Sequence, residues 1–194
     1  MSDVITLSDF DTYPDFPVEG ILFYDISPIL ASPAKFREAC DALTPHGVDV
    51  DVVAGVDARG FIFAPIVAQD LGVGMTMVRK KGKMPGELLE ADATIEYGSS
   101  ELVINPNGIA GKHVLVIDDV LATGGTARAV AQMLTTAGAA SVRFSFLIEI
   151  GALPGRDVLS DFSVTSVISS DSFARSSICA QFHLRAVPSA RSAE

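Results

Sequence analysis

The chain has 194 residues, of which 48% are hydrophobic and 20% charged, and it carries a formal net charge of −10. That length suits one domain with a substantial apolar core, and the acidic balance opposes non-specific binding to nucleic acid, whose phosphates require a basic face. Cys40 and Cys179 belong to no CxxC or Cys/His cluster, and His46, His113 and His183 show no metal-ligand spacing, so a disulfide framework and a zinc centre are set aside. The amino terminus, MSDVITLSDF, is acidic where a signal peptide is basic, and no apolar run approaches the ~20 residues of a membrane span. The expectation is a cytoplasmic chain with reduced thiols and no membrane partner.

Residues 1–31 are rich in Pro, Asp and aromatic residues and include the turn-prone Tyr13-Pro14-Asp15-Phe16-Pro17, which predicts an arm lying on the domain. Ser32-Pro33 then opens a helix: serine caps free amides, proline suits the first helical position, and Phe36, Ala39, Cys40 and Leu43 recur at helical spacing until Pro45 and Gly47. A strand over 51–55, a helix near 60–71, strands over 75–79 and 113–118, a helix near 124–137 and a strand over 142–149 follow. Continuous apolar strands alternating with amphipathic helices predict an α/β domain spanning 1–194, with a mostly parallel sheet covered on both faces. In such sheets ligands sit beyond the carboxyl ends of the strands, and Asp57-Ala58-Arg59-Gly60, Arg79-Lys80 and Asp118-Asp119 all fall at such ends. Between 80 and 108 the pattern breaks into two alternating stretches, 94–97 and 101–104, which predict a projecting hairpin lid. The tail 186–194 is expected to fray.

The most informative string is Val114-Leu-Val-Ile-Asp118-Asp119-Val120-Leu121-Ala122-Thr123-Gly124-Gly125-Thr126. A buried strand delivers two carboxylates, and the chain then turns through Thr-Gly-Gly-Thr into a helix. Glycines let backbone amides approach closely, threonines add hydroxyl donors, and the positive end of the helix dipole favours a phosphate. Acids beside an anion cradle suit a ligand with hydroxyls next to a phosphate, such as ribose 5-phosphate. Phosphoacceptor and phosphatase folds also carry acidic pairs after strands, but they use a nucleophilic Asp and lack this cradle. A second signal is Arg79-Lys80-Lys81-Gly82-Lys83, which gathers four of the fourteen basic residues into five positions of an acidic chain. With Arg59, whose planar fork suits polyphosphate oxygens, it points to a polyanion site.

The 114–126 string resembles the phosphoribosyl pyrophosphate motif of type I phosphoribosyltransferases. Asp15 to Pro28, Asp57-Ala-Arg-Gly-Phe61, Val78 to Gly86 and Ile95-Glu96-Tyr97-Gly98 resemble the adenine-using members of that family in order and spacing, over about 13–160, with a fainter match through Phe146-Leu-Ile-Glu149 and Gly155-Arg156-Asp157. The resemblance implies a type I phosphoribosyltransferase-like fold and transfer of a phosphoribosyl group to a purine, adenine first. It implies that Asp118 and Asp119 hold the ribose hydroxyls and that Ala122, Thr123, Gly124, Gly125 and Thr126 cradle the 5-phosphate. Asp57, Ala58, Arg59, Arg79, Lys80 and Lys83 would face pyrophosphate, with a cis peptide after Asp57. Leu22, Phe23, Tyr24 and Val120 would form the base site, and Glu96 would exchange a proton with the purine. Mg2+ would arrive with the donor, and the chain would pair as a homodimer. Two positions depart from the family pattern: Tyr24 stands where arginine is common, and Val120 where leucine is frequent. A purine with a carbonyl edge, or a non-catalytic sensor of phosphoribosyl pyrophosphate, are the alternative readings.

Overall fold

A computed structural model describes residues 5–17, 19, 21–95 and 98–170. The arm is a small ribbon in which β1 (Asp11–Pro14) pairs antiparallel with β2 (Leu22–Asp25). It turns through Asp15, at φ 57°, and a cis Phe16–Pro17 bond. A short helix that the sequence did not announce, α1 (Ser27–Ala31), follows directly; Asp25 Oδ1 accepts hydrogen bonds from Ser27 N and Oγ at its start. Then comes α2 (Pro33–Leu43), where Ser32 Oγ accepts from Lys35 N as the cap expected of a serine before proline.

The main sheet is built from β3 (Val52–Val56), β4 (Gly74–Lys80), β5 (Leu89–Ile95), β6 (Gly98–Ile104), β7 (His113–Leu121), β8 (Ser141–Ile150) and β9 (Ser163–Ser170). Its order is β5-β6-β4-β3-β7-β8-β9, with β4, β3, β7, β8 and β9 parallel and the β5/β6 hairpin antiparallel at one edge. Helices α3 (Gly60–Leu71), α4 (Gly125–Thr136) and the single turn α5 (Gly155–Val158) complete the domain.

Alternation along the central strands feeds two cores. Ala54, Val56, Val114 and Val116 pack with α4, Phe144 and Phe146 on one face, while Val53, Leu115 and Ile117 pack with α2, α3 and the arm on the other. Three boundaries differ from the pattern reading. β7 runs on to Leu121, so Asp118 and Asp119 lie within the strand rather than past it. β5 begins at Leu89, and Ile95 pairs with Gly98, so 98–100 belong to β6 and not to the joint between the two stretches. The base of the hairpin extends the sheet and packs on α4, with Ala93 and Leu102 buried. β9 is a strand that periodicity did not announce. Glu96, Tyr97, Cys179, His183 and the tail 186–194 lie outside the described residues.

Candidate active site

The carboxyl ends of β3, β4 and β7 converge, as the parallel arrangement requires. β7 ends at Leu121, and the chain passes through Ala122 and Thr123 to Gly124, which adopts φ 83° and starts α4. Glycine is needed there for two reasons: its positive φ, and the approach of Gly155, whose Cα and O would each stand 3.0 Å from a Cβ on Gly124. The first amides of α4 have no partner within the helix and sit at its positive end. Together with Asp118, Asp119, Val120 and Arg59, the residues Ala122, Gly124, Gly125, Thr126 and Ala127 line a cavity of about 190 Å3 floored in part by Phe146.

The acidic pair is electrostatically unusual. Asp119 is only 3% exposed, while Asp118 keeps a partly open surface toward the cavity. Burial, and next the charge of Asp119, push the Asp118 carboxyl well above the ordinary carboxylate range; burial raises Asp119 as well, against the lowering pull of Arg59. Arg59 Nε lies 2.9 Å from Asp119 Oδ2, yet that oxygen has no aligned hydrogen-bond donor among the described residues. A buried acceptor with spare capacity, facing a cavity, fits a ligand hydroxyl.

Arg59 also connects the pair to the arm, because its guanidinium carbon stands 5.3 Å from the centre of the Phe23 ring. Phe23 is half-buried and meets Phe16 edge-on at 5.2 Å. Strand alternation turns Tyr24 the other way: it is 7% exposed and packs edge-on against Phe10 in the core. The Tyr24 side chain therefore faces away from the Phe23 side of β2, and Leu22, two residues back on the same face as Tyr24, packs against that core instead of beside Phe23. On the far side of the cleft, the Asp57–Ala58 peptide is cis. Asp57 N donates to Val78 O at 2.9 Å, and Asp57 Oδ2 lies 3.4 Å from Arg79 Nε. Arg79 also reaches Lys83 O and lies over the Phe61 ring.

The basic run divides by role. Lys81 is bound by Glu90 at 2.8 Å and Glu101 at 3.3 Å across the root of the hairpin, whereas Lys80 and Lys83 are exposed beside the cleft. Gly60, Phe146 and Gly155 belong to the site although pattern reading assigned them nothing. A Cβ on Gly60 would overlap Ile117 O and stand 3.3 Å from Asp118 Oδ1. Gly60 stood beside Arg59 at a strand end, which was the available signal; the contacts of Phe146 and Gly155 are made through space alone.

A parallel sheet whose central strand ends in a buried acid pair and a helix-start anion cradle, opposite a basic strand tip, defines a phosphoribosyltransferase: the phosphoribosyl transferase domain family matches residues 35–182. The adenine phosphoribosyltransferase of an Anaeromyxobacter species is 45% identical over 159 residues, covering 80% of this chain and 90% of that one. The crystal structure of adenine phosphoribosyltransferase from Thermoanaerobacter pseudethanolicus superposes with a TM-score of 0.80 at 37% identity, over 84% of this chain and 96% of its own. That of Saccharomyces cerevisiae, solved with an imino-altritol bisphosphate and adenine, gives 0.77 at 39% identity, over 82% and 94%. The chain belongs to the adenine phosphoribosyltransferase family.

Proposed function

We propose that this enzyme transfers the phosphoribosyl group of phosphoribosyl pyrophosphate to adenine, giving AMP and pyrophosphate in purine salvage, and that it acts in the cytoplasm. The observation that carries the reading is the Asp118–Asp119 pair running straight into the Ala122–Thr126 cradle within one cavity. In this reading the two carboxylates accept from the ribose hydroxyls, and the amides of 124–126 with the hydroxyls of Thr123 and Thr126 receive the 5-phosphate. Arg59, Arg79, Lys80, Lys83 and the Asp57–Ala58 segment face the pyrophosphate. A ring nitrogen of adenine bonds to the anomeric carbon as the bond to pyrophosphate breaks, and the ring N–H proton passes to Glu96. The sugar is cation-like in between, so exclusion of water by the hairpin protects it from hydrolysis. Phe23 and Val120 flank the base. The burial of the Tyr24 phenol leaves base selection at that position to the main chain.

The described residues contain no group of three or more His, Cys, Asp or Glu able to hold a metal ion. In this reading a Mg2+ ion would arrive on the donor's own oxygens, and Asp118 and Asp119, which line the same cavity, would stand near it. Once bound there, the ion supplies neutralising charge for pyrophosphate. Pairing into a homodimer is supported by Met75 and Met77, 38% and 41% exposed on β4. Their strand meets β6 only from Val78 onward, so this stretch lacks a neighbour on that side among the described residues. Light scattering tests the pairing: the mass of two chains is expected, and the mass of one would refute it.

Pyrophosphate release with Mg2+ and phosphoribosyl pyrophosphate, offering adenine, hypoxanthine, guanine and xanthine separately, tests the activity. Release with adenine is expected, with a fall of about 10²- to 10⁴-fold in Glu96→Gln, the range of a general acid–base group. Release with an oxo-purine alone would overturn the choice of base. Donor binding with no release from any base would identify a sensor instead.

A further inference from the structure

The loop 122–126 rests on a helix too short to hold itself. α5 has four residues, and a single isolated turn has no stability in water. Its first residue, Gly155, is buried; a Cβ there would overlap Ala122 O and stand 2.8 Å from Leu121 Cδ1. From the other side, a Cβ on Gly124 would meet Gly155 and, at 3.1 Å, Val158 Cβ. The two backbones touch across the middle of the loop, so the placement of Gly155 decides the placement of the loop.

The neighbouring residue fixes Gly155. Arg156 Nε donates to Glu149 Oε1 at 2.7 Å and Nη2 donates to Oε2, while Nη1 donates to Val164 O at 3.2 Å and Nη2 also to Ser166 Oγ at 3.1 Å. Glu149 is 8% exposed, and its hydrogen bonds from Arg156 hold it below the usual carboxylate range. It stands on β8 in register with Leu121 of β7, the residue that precedes the loop. The contacts form a closed ring: β7 to β8 through Leu121 and Glu149, β8 to α5 through Arg156, and α5 back to the loop through Gly155.

We propose that Glu149 and Arg156 are positioning residues for phosphoribosyl pyrophosphate, their two-pronged contact setting the loop that receives its 5-phosphate. The proposal rests on the reading of 122–126 as that cradle. Neither side chain lines the cavity; both act through Gly155. Arginine is suited to this because two parallel hydrogen bonds fix orientation as well as distance, which a lysine's point charge does not. A staple that served stability alone would lower the melting temperature and leave substrate affinities untouched.

The test is steady-state kinetics on Arg156→Met, Arg156→Lys, Glu149→Gln and the Arg156→Met/Glu149→Gln double variant, with melting temperatures alongside. Thr126→Ala serves as the reference for the cradle itself, and Ser163→Ala, which removes only a β9 partner of Arg143, as a variant outside the ring. The three single variants at the ion pair are expected to raise KM for phosphoribosyl pyrophosphate about tenfold while KM for adenine stays within about twofold, and the double variant to be no worse than the poorer single. Ser163→Ala is expected to match the wild type. An unchanged donor KM in Arg156→Lys and Glu149→Gln, or an equal rise for both substrates, would overturn the proposal, even if Arg156→Met fails to fold. If Thr126→Ala also leaves the donor KM unchanged, the cradle reading falls first; if it raises KM and the ion-pair variants do not, only the positioning role falls.

Discussion

Asp119→Asn is expected to lower kcat/KM for phosphoribosyl pyrophosphate on the order of a hundredfold or more, and at the same time to raise the melting temperature at neutral pH. The activity loss follows because a neutral amide cannot offer a charged acceptor to the ribose hydroxyls beside the anomeric carbon, which is becoming cation-like. The stability gain follows from the environment of the pair. Burial raises both carboxyl groups above their ordinary values. A carboxyl raised in the native state gives stability that is complete below the ordinary value and lost as pH rises through the native one. At neutral pH the buried pair therefore weighs against folding, and the asparagine relieves it, by about 2–4 °C in Tm for each kcal/mol. The advantage should shrink below about pH 4, where both carboxyl groups approach neutrality in either state. A variant that kept kcat/KM within tenfold of wild type would sink the ribose role; one less stable at pH 7 would sink the electrostatic account.

The second large effect is expected at Gly60→Ala. The added methyl meets Ile117 O, a backbone atom of the central strand that cannot swing aside, and crowds Asp118 Oδ1. Overpacking of this kind costs about 1–3 kcal/mol. The strand end and Arg59, one residue away, would then separate. Misplacement of reacting groups by about 1 Å costs on the order of a hundredfold, so kcat/KM should fall much further than stability does. Gly74→Ala is the control: it is the first residue of β4 as Gly60 is of α3, but nothing lies within 4 Å of its added carbon. Thermal melts and turnover of the two variants check the argument; equal behaviour would refute it.

The parts of the molecule that sequence made legible are those whose pattern is local. Val52–Val56 and His113–Leu121 are apolar runs bounded by glycine or acid, Gly60–Leu71 and Gly125–Thr136 fit helical periods, and Asp118 to Thr126 carries its chemistry in consecutive residues. β9 escaped because the apolar residues of Ser163–Ser170, Val164, Val167 and Ile168, keep no two-residue period, and partial burial at a sheet edge sets a weak pattern. α1 is five residues long, too short to show a period. β5 was read short because Glu90 and Asp92 occupy its exposed face and mask the strand. In the site, the Arg59–Phe23 contact and the seat of Gly155 are juxtapositions of segments far apart in the chain, and no single segment encodes them.

The glycines at 55, 124 and 155 bear on how this enzyme can change over generations. A Cβ on Gly55 would stand 2.8 Å from Ala64 Cβ, one on Gly124 would press on the Gly155 backbone, and one on Gly155 would press on Ala122 O. Elsewhere the cleft carries side chains, such as Arg59, Val120, Thr126 and Phe146, whose size can change in small steps. The three glycines admit no such trial, since every other amino acid brings the same offending carbon. Mutational tolerance is thus lowest where the chain has no side chain at all, and a descendant can explore a new base long before it can explore a new seat for the phosphate.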